Sequence, residues 1–158
     1  MKPVRTKFSL TLALLLCFVL PNLSSVVEAS DLAPAARSGK LHLVKDTSQY
    51  SGLPGGFATI AASNLASVPV GSMIFYDQAP DIPAGLIDSN VVLDAGNGNR
   101  AFGRCTTDLV TWIGLCTFSD GVGTLSGFHA RLEVSLKSLD LGTFDLRGTY
   151  RFTRHSNK

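Results

Sequence analysis

FGRCTTDLVTWIGLCTFSDGVGTLSGF, residues 102–128, holds Cys105, Cys116, the chain's one tryptophan (Trp112) and five glycines within alternating polar and apolar sequence. Alternation with period two is the signature of a half-buried strand, and clusters of Asp, Ser and Gly punctuate strands with turns. The stretch therefore predicts two antiparallel strands, a turn at Ser119-Asp120-Gly121, and a third strand beyond it. The two cysteines fall one on each strand of the first pair.

Working outward, the same grammar repeats. Residues 41–44 alternate weakly, residues 57–62 suit a strand or a short helix, and residues 68–76 read as a strong strand around Gly71. Residues 77–85 carry Pro80 and Pro83 and predict a loop. Residues 87–93 are rich in β-branched side chains. Asp94-Ala95-Gly96-Asn97-Gly98-Asn99 is the plainest hairpin turn, since Asn and Gly accept the positive φ that tight turns demand. Strands are expected at 100–106, 111–118, 124–136 and 143–153, with Leu132, Val134 and Leu136 on one face and a turn at 138–142. Seven or eight short strands with short links and no amphipathic helix predict an all-β, antiparallel meander. A small, about eight-stranded β-barrel is favoured over a sandwich because closure removes the exposed edges. Such a barrel holds either side chains or one small ligand.

The beginning of the chain reads differently. Lys2, Arg5 and Lys7 precede an apolar run over residues 8–20, and Val27 and Ala29 supply small residues before a cut at Ser30. This is the pattern of a secretory signal peptide over residues 1–29, with an apolar run too short to span a bilayer stably. Residues 30–40 are small, polar and aperiodic, a flexible lead-in to a single domain over 41–158. Cys17 and the sequon Asn22-Leu23-Ser24 belong to the leader. In an exported chain Cys105 and Cys116 are expected to form one disulfide, two buried thiols being the alternative.

The net charge of +2 is also largely the leader's, because Lys2, Arg5 and Lys7 against Glu28 leave the remainder near neutrality. A neutral chain without basic clusters excludes nucleic acid, and an anionic membrane after signal cleavage, as main partners.

No catalytic motif stands out. Ser126 and His129 are three apart, which on a strand puts them on opposite faces, and no G-x-S-x-G elbow is present. His42, His129 and His155 are scattered without metal-ligand spacing, so no metal and no cofactor are expected. Asp77 and Asp81 flank a proline loop and fit either a carboxylate pair at a barrel mouth or a solvated turn. Asp120 suits a turn by itself. Arg104 and Arg131 lie in strands and point either into the barrel, toward an acidic or phenolic group, or out to solvent. Trp112, Phe118, Phe128, Tyr150 and Phe152 read as core and barrel wall, with an aromatic pocket lining as the other reading.

Three segments carry a family resemblance. Val70-Gly71-Ser72-Met73-Ile74-Phe75-Tyr76 with Asp81 and Gly85 is similar to the opening strand of plant dirigent proteins. Phe102-Gly103-Arg104 resembles the start of a middle strand in that family, and residues 118–125 resemble its glycine turn. In a second, competing alignment Gly121-Val122-Gly123-Thr124, Gly127 and Ala130-Arg131 match a later glycine-rich turn of the family instead. No His-Asp follows Phe75-Tyr76, and the chain is short for a dirigent. On these motifs the chain resembles the allene oxide cyclase/dirigent barrel superfamily.

The resemblance implies a homodimeric or homotrimeric barrel in the plant apoplast. It would bind a small, phenolic ligand and steer stereoselective radical coupling without a redox centre of its own. The candidate pocket residues are Tyr76, Asp77, Asp81, Arg104, Asp120 and Arg131. The alternative is a defence or cell-wall interaction protein with a filled barrel. A cyclase or isomerase ranks last, because Glu133 is the one glutamate left after the leader. A polar cavity with Asp77, Asp81 or Asp120 beside an arginine would mark the first, and an interior packed solid with Leu, Val and Phe the second.

Overall fold

The computed structural model describes residues 37–153, and the predicted leader with Cys17 and the sequon lies outside the described residues. Eight strands follow in order: β1 Ser38–Asp46, β2 Phe57–Ser63, β3 Met73–Tyr76, β4 Leu86–Asp94, β5 Arg100–Asp108, β6 Ile113–Val122, β7 Phe128–Ser138 and β8 Thr143–Phe152. Each pairs antiparallel with its neighbour in sequence. β1 closes on β8 in an unbroken register from Ser38↔Arg151 to Asp46↔Thr143. The expected eight-stranded antiparallel meander is thus a closed barrel. Its first strand starts inside the expected lead-in, at Ser38 rather than Leu41, because β8 is long enough to pair with those residues as well.

Alternation builds the interior. Leu41, Leu43, Ile60, Ile74, Val91, Leu93, Leu132, Val134 and Leu146 are buried, and each fully buried Leu, Ile or Val contributes roughly 1.5–3 kcal/mol. The intervening residues carry charge: Arg104, Arg131, Glu133 and Arg147 are exposed. Apolar side chains face in and charged ones out, the reverse of a membrane-spanning barrel. Register shifts at Val44/Lys45, Phe102/Gly103 and Leu136/Ser138 supply the local bending that a small barrel requires.

Cys105 and Cys116 are directly opposite in the β5–β6 ladder, both fully buried, and joined in a disulfide with Cα atoms 4.1 Å apart. The hairpin turn at residues 95–99 is also as expected, with Gly96, Asn97 and Gly98 all at positive φ.

Three further boundaries differ from the expectation. Only Met73–Tyr76 of the segment 68–76 is strand. Pro69 has no N–H for a ladder, and Gly71 turns at φ 90°. Ile60 donates to the Ser72 carbonyl while accepting from the Gly71 N–H, at 2.7 and 2.9 Å, so this stretch wraps the end of β2. Ser119-Asp120-Gly121 is not a turn but part of β6, with Ser119 the extra residue of the β5–β6 bulge. The chain reverses later, through a 3₁₀ turn at Gly123–Leu125, so β7 begins at Phe128 rather than near Thr124.

The two barrel ends differ. The loops at 64–72, 95–99 and 123–127 share one end. There Val68, Leu125 and Phe128 are fully buried, and Phe128 packs against Phe118, Tyr150 and Phe152. This end is sealed by apolar and aromatic side chains. The loops at 47–56, 77–85, 109–112 and 139–142 share the other end, which is open.

Candidate functional site

At the open end lies a cavity of about 270 Å³. Its walls come from inward positions of five strands — Lys45 (β1), Tyr76 (β3), Ile87 (β4), Thr107 (β5) and Phe144 (β8) — and from loop residues including Tyr50, Pro80, Ile82 and Trp112. Each strand residue occupies the last inward step before its loop, so the cavity is the unfilled final layer of the barrel interior. Small-molecule sites have this character: concave, mostly apolar, with a few polar groups.

Lys45 is the unusual wall residue. It follows Leu41 and Leu43 on the inward face and is only 5% exposed. Its Nζ donates to the Tyr76 hydroxyl at 2.8 Å and sits 5.4 and 5.1 Å from the ring centroids of Tyr76 and Phe144. Such cation–π contacts offset part of the cost of removing an ammonium from water. Among the described residues no carboxylate pairs with it.

Tyr50 meets Tyr76 edge-on, ring centroids 5.2 Å apart. Its hydroxyl is buried and has no hydrogen-bond partner among the described residues. Burial, and then the neighbouring Tyr76, push the Tyr50 phenol above its ordinary value.

Trp112 completes the wall. Its backbone is at φ 58°, a region that bulky residues rarely occupy. The Asp108 carboxylate accepts from the Val110 and Thr111 N–H groups at 2.8 and 2.7 Å, and the Trp112 N–H reaches the Asp108 carbonyl at 2.9 Å. These bonds hold the loop so that the indole packs on Phe144, centroids 5.9 Å apart. Around the mouth, Leu53, Ile82, Val110, Leu139 and Leu141 on the four open-end loops are largely exposed.

Of the six residues singled out from sequence, Tyr76 alone lines this cavity. Asp81 is exposed and caps its own turn, accepting from the Ala84 N–H at 3.0 Å. Asp120 likewise accepts from the Gly121 N–H at 2.7 Å. Arg104 points outward and grips Asp88 with two hydrogen bonds, which hold that carboxyl below its ordinary value. Asp77 shares only a shallow outer depression with Arg104. Arg131 is exposed on the outer wall near Lys40, Glu133 and Arg147. A cavity with Asp77, Asp81 or Asp120 beside an arginine is therefore not formed: alternation turns both arginines outward, Asp81 serves its own turn, and Asp77 and Asp120 are exposed.

Lys45 and Tyr50 were the residues sequence reasoning missed. The signal for Lys45 was a lysine two steps beyond Leu43 on the apolar side of a strand. Nothing local marked Tyr50. Among the described residues, no three His, Cys, Asp or Glu side chains converge as metal ligands. The chain matches no protein-family model, no curated protein and no solved structure.

Proposed function

We propose that this barrel binds a small, mostly apolar molecule in the open-end cavity and has no redox centre of its own. The observation that carries the reading is a void of about 270 Å³ walled by Trp112, Phe144, Tyr76 and Ile87, with Lys45, Tyr50 and Thr107 among its polar groups. In a barrel whose middle is filled by fully buried Leu, Ile and Val side chains, an unfilled layer with convergent polar atoms favours a ligand over packing. The exposed apolar side chains of the surrounding loops favour entry of an apolar molecule. Export through the leader belongs to the same reading, and the disulfide is compatible with it.

The only tryptophan of the chain lines the cavity, so its fluorescence reports occupancy directly. Titration with 3-phenylpropan-1-ol is expected to give a saturable change in Trp112 emission, and Ile87→Phe, which fills part of the void, is expected to weaken that response strongly. Flat titrations of the folded protein with this alcohol and with the acid and amine of the same shape would remove this reading.

A phenolic ligand and guided radical coupling are the narrower form of the proposal, resting on the dirigent-like motifs and on the aromatic walls. Oxidising a phenol with and without the protein and measuring product handedness tests it, and a racemic product removes it. The second reading is an interaction protein that takes no ligand. It is favoured by the packed middle and sealed far end of the barrel, and it predicts the flat titration.

A further inference from the structure

We infer that the ligand of the open-end cavity is a monoanion, a carboxylate carried on a compact apolar or aromatic body, seated with its acid group on Lys45. This rests on the ligand-binding reading above and specifies the chemistry of the occupant.

The argument starts from charge. An ammonium removed from water needs a counter-charge or a full set of hydrogen bonds. Lys45 has three N–H groups; one reaches the neutral Tyr76 phenol, and the ring faces of Tyr76 and Phe144 lie alongside. The acids at this end do not meet it: Asp81 and Asp108 are spent on turns, Asp46 accepts from the Ser48 N–H at 2.7 Å, and Asp77 and Asp140 are exposed. A ligand carboxylate would supply the missing charge and accept from the remaining Lys45 N–H groups.

Tyr50 is the independent second observation. Its hydroxyl is buried beside the same cavity with no partner among the described residues, and a buried donor left unpaired carries its desolvation cost uncompensated. A carboxylate has two oxygens and takes donors from more than one side. One oxygen on Lys45 and the other on Tyr50 would pair both groups and supply the counter-charge at once, whereas an alcohol brings no charge and an ammonium no acceptor. Size fits as well: a cavity of about 270 Å³ equals about nine waters at liquid density, room for a body of about ten non-hydrogen atoms.

The test compares three molecules of one shape: 3-phenylpropanoate, 3-phenylpropan-1-ol and 3-phenylpropan-1-amine, titrated against the purified protein by Trp112 fluorescence and calorimetry. The acid is expected to bind about tenfold or more tightly than the alcohol, and the ammonium form of the amine more weakly than either. Lys45→Met is expected to cost the acid far more than the alcohol and bring their ratio toward one, and Tyr50→Phe to weaken the acid several-fold. Equal binding of acid and alcohol by the native protein overturns the anion assignment and leaves the ligand-binding reading standing. Silence from all three overturns both. The comparison on the native protein decides the matter even if a variant fails to fold.

Discussion

Lys45 on β1 donates a 2.8 Å hydrogen bond to the hydroxyl of Tyr76 on β3, and both side chains are buried at the open end of the barrel. These strands are not neighbours in the sheet, since β2 lies between them. The bond therefore passes over the inner face of β2 and links its two flanking strands where the packed core stops.

Removing one partner strands the other. Tyr76→Phe leaves the ammonium without its one hydrogen bond among the described residues and is expected to destabilise by roughly 2–3 kcal/mol. Lys45→Met removes the charge itself and is expected to cost less, because an apolar isostere often replaces a buried ion at little cost. The double variant should recover part of the Tyr76→Phe loss. Urea denaturation of the four proteins measures the coupling, and strictly additive losses would contradict it.

Tyr50→Phe deletes a buried hydroxyl that has no partner among the described residues. The variant is expected to be as stable as the native protein or more so, by up to about 1 kcal/mol, since no hydrogen bond is lost and a desolvation cost disappears. A clear fall in melting temperature would show that the hydroxyl is paired in solution.

The Cys105–Cys116 bond closes a loop with a sequence separation of 11. On the loop-entropy account such a cross-link contributes about 3 kcal/mol. Reduction, or replacement of both cysteines by Ala, should lower the unfolding free energy by about that amount with the barrel retained, as read by denaturation and far-ultraviolet circular dichroism. Because both cysteines face the interior, the bond is expected to resist mild reductant until the barrel opens.

Gly148 on β8 lies directly across from Leu132. A Cβ at this position would collide with the backbone carbonyl of Arg131. Backbone cannot yield as a flexible side chain does, so Gly148→Ala is expected to cost more than about 3 kcal/mol or prevent folding. Gly96→Ala tests a different mechanism: φ is 82° but nothing lies near the added carbon, so a cost of about 1 kcal/mol is expected from backbone conformation alone. Equal melting temperatures for the two variants would refute the distinction.

Asp145 accepts from His42 at 2.8 Å and lies within reach of Arg147 and Lys137. The His42 hydrogen bond first, then Arg147 and the charge of Lys137, hold its carboxyl below the ordinary 3.8. A depressed folded pKa contributes stability above the unfolded value and loses it as pH falls through the folded one. Asp145→Asn should therefore lower stability between pH 5 and 7 by no more than about 1 kcal/mol, as befits a solvent-reached ion pair. It should also flatten the decline below pH 4. An unchanged acid limb in denaturation curves taken from pH 2 to 7 would exclude this role.

The barrel was legible because its cause is local. Leu132 and Val134 alternate with polar neighbours, and Gly96-Asn97-Gly98 accepts positive φ, so strand and turn are written into adjacent residues. Boundaries were less legible where a partner strand decides them. Residues 118–122 continue as β6 because Phe102 and Gly103 on β5 accommodate Ser119 as a bulge, and no property of Ser119-Asp120-Gly121 alone reveals that. Residues 68–72 look like strand but turn, because their hydrogen bonds go to Ile60.

The sequence by itself determined an all-β meander of about eight strands, with a cysteine pair on adjacent strands, since period-two alternation, turn chemistry and short links are properties of neighbouring residues. Only the tertiary structure decided which residues meet. Arg104, Arg131 and the loop acids carry the chemistry that a sequence reader notices, yet outward register and local turns keep them from the cavity. Lys45, Tyr50, Tyr76 and Trp112 are separated by 67 positions and come together because closure of β1 on β8 curls the sheet around one end. Long-range register and the pleat decide that meeting, and neither can be read from a residue and its neighbours.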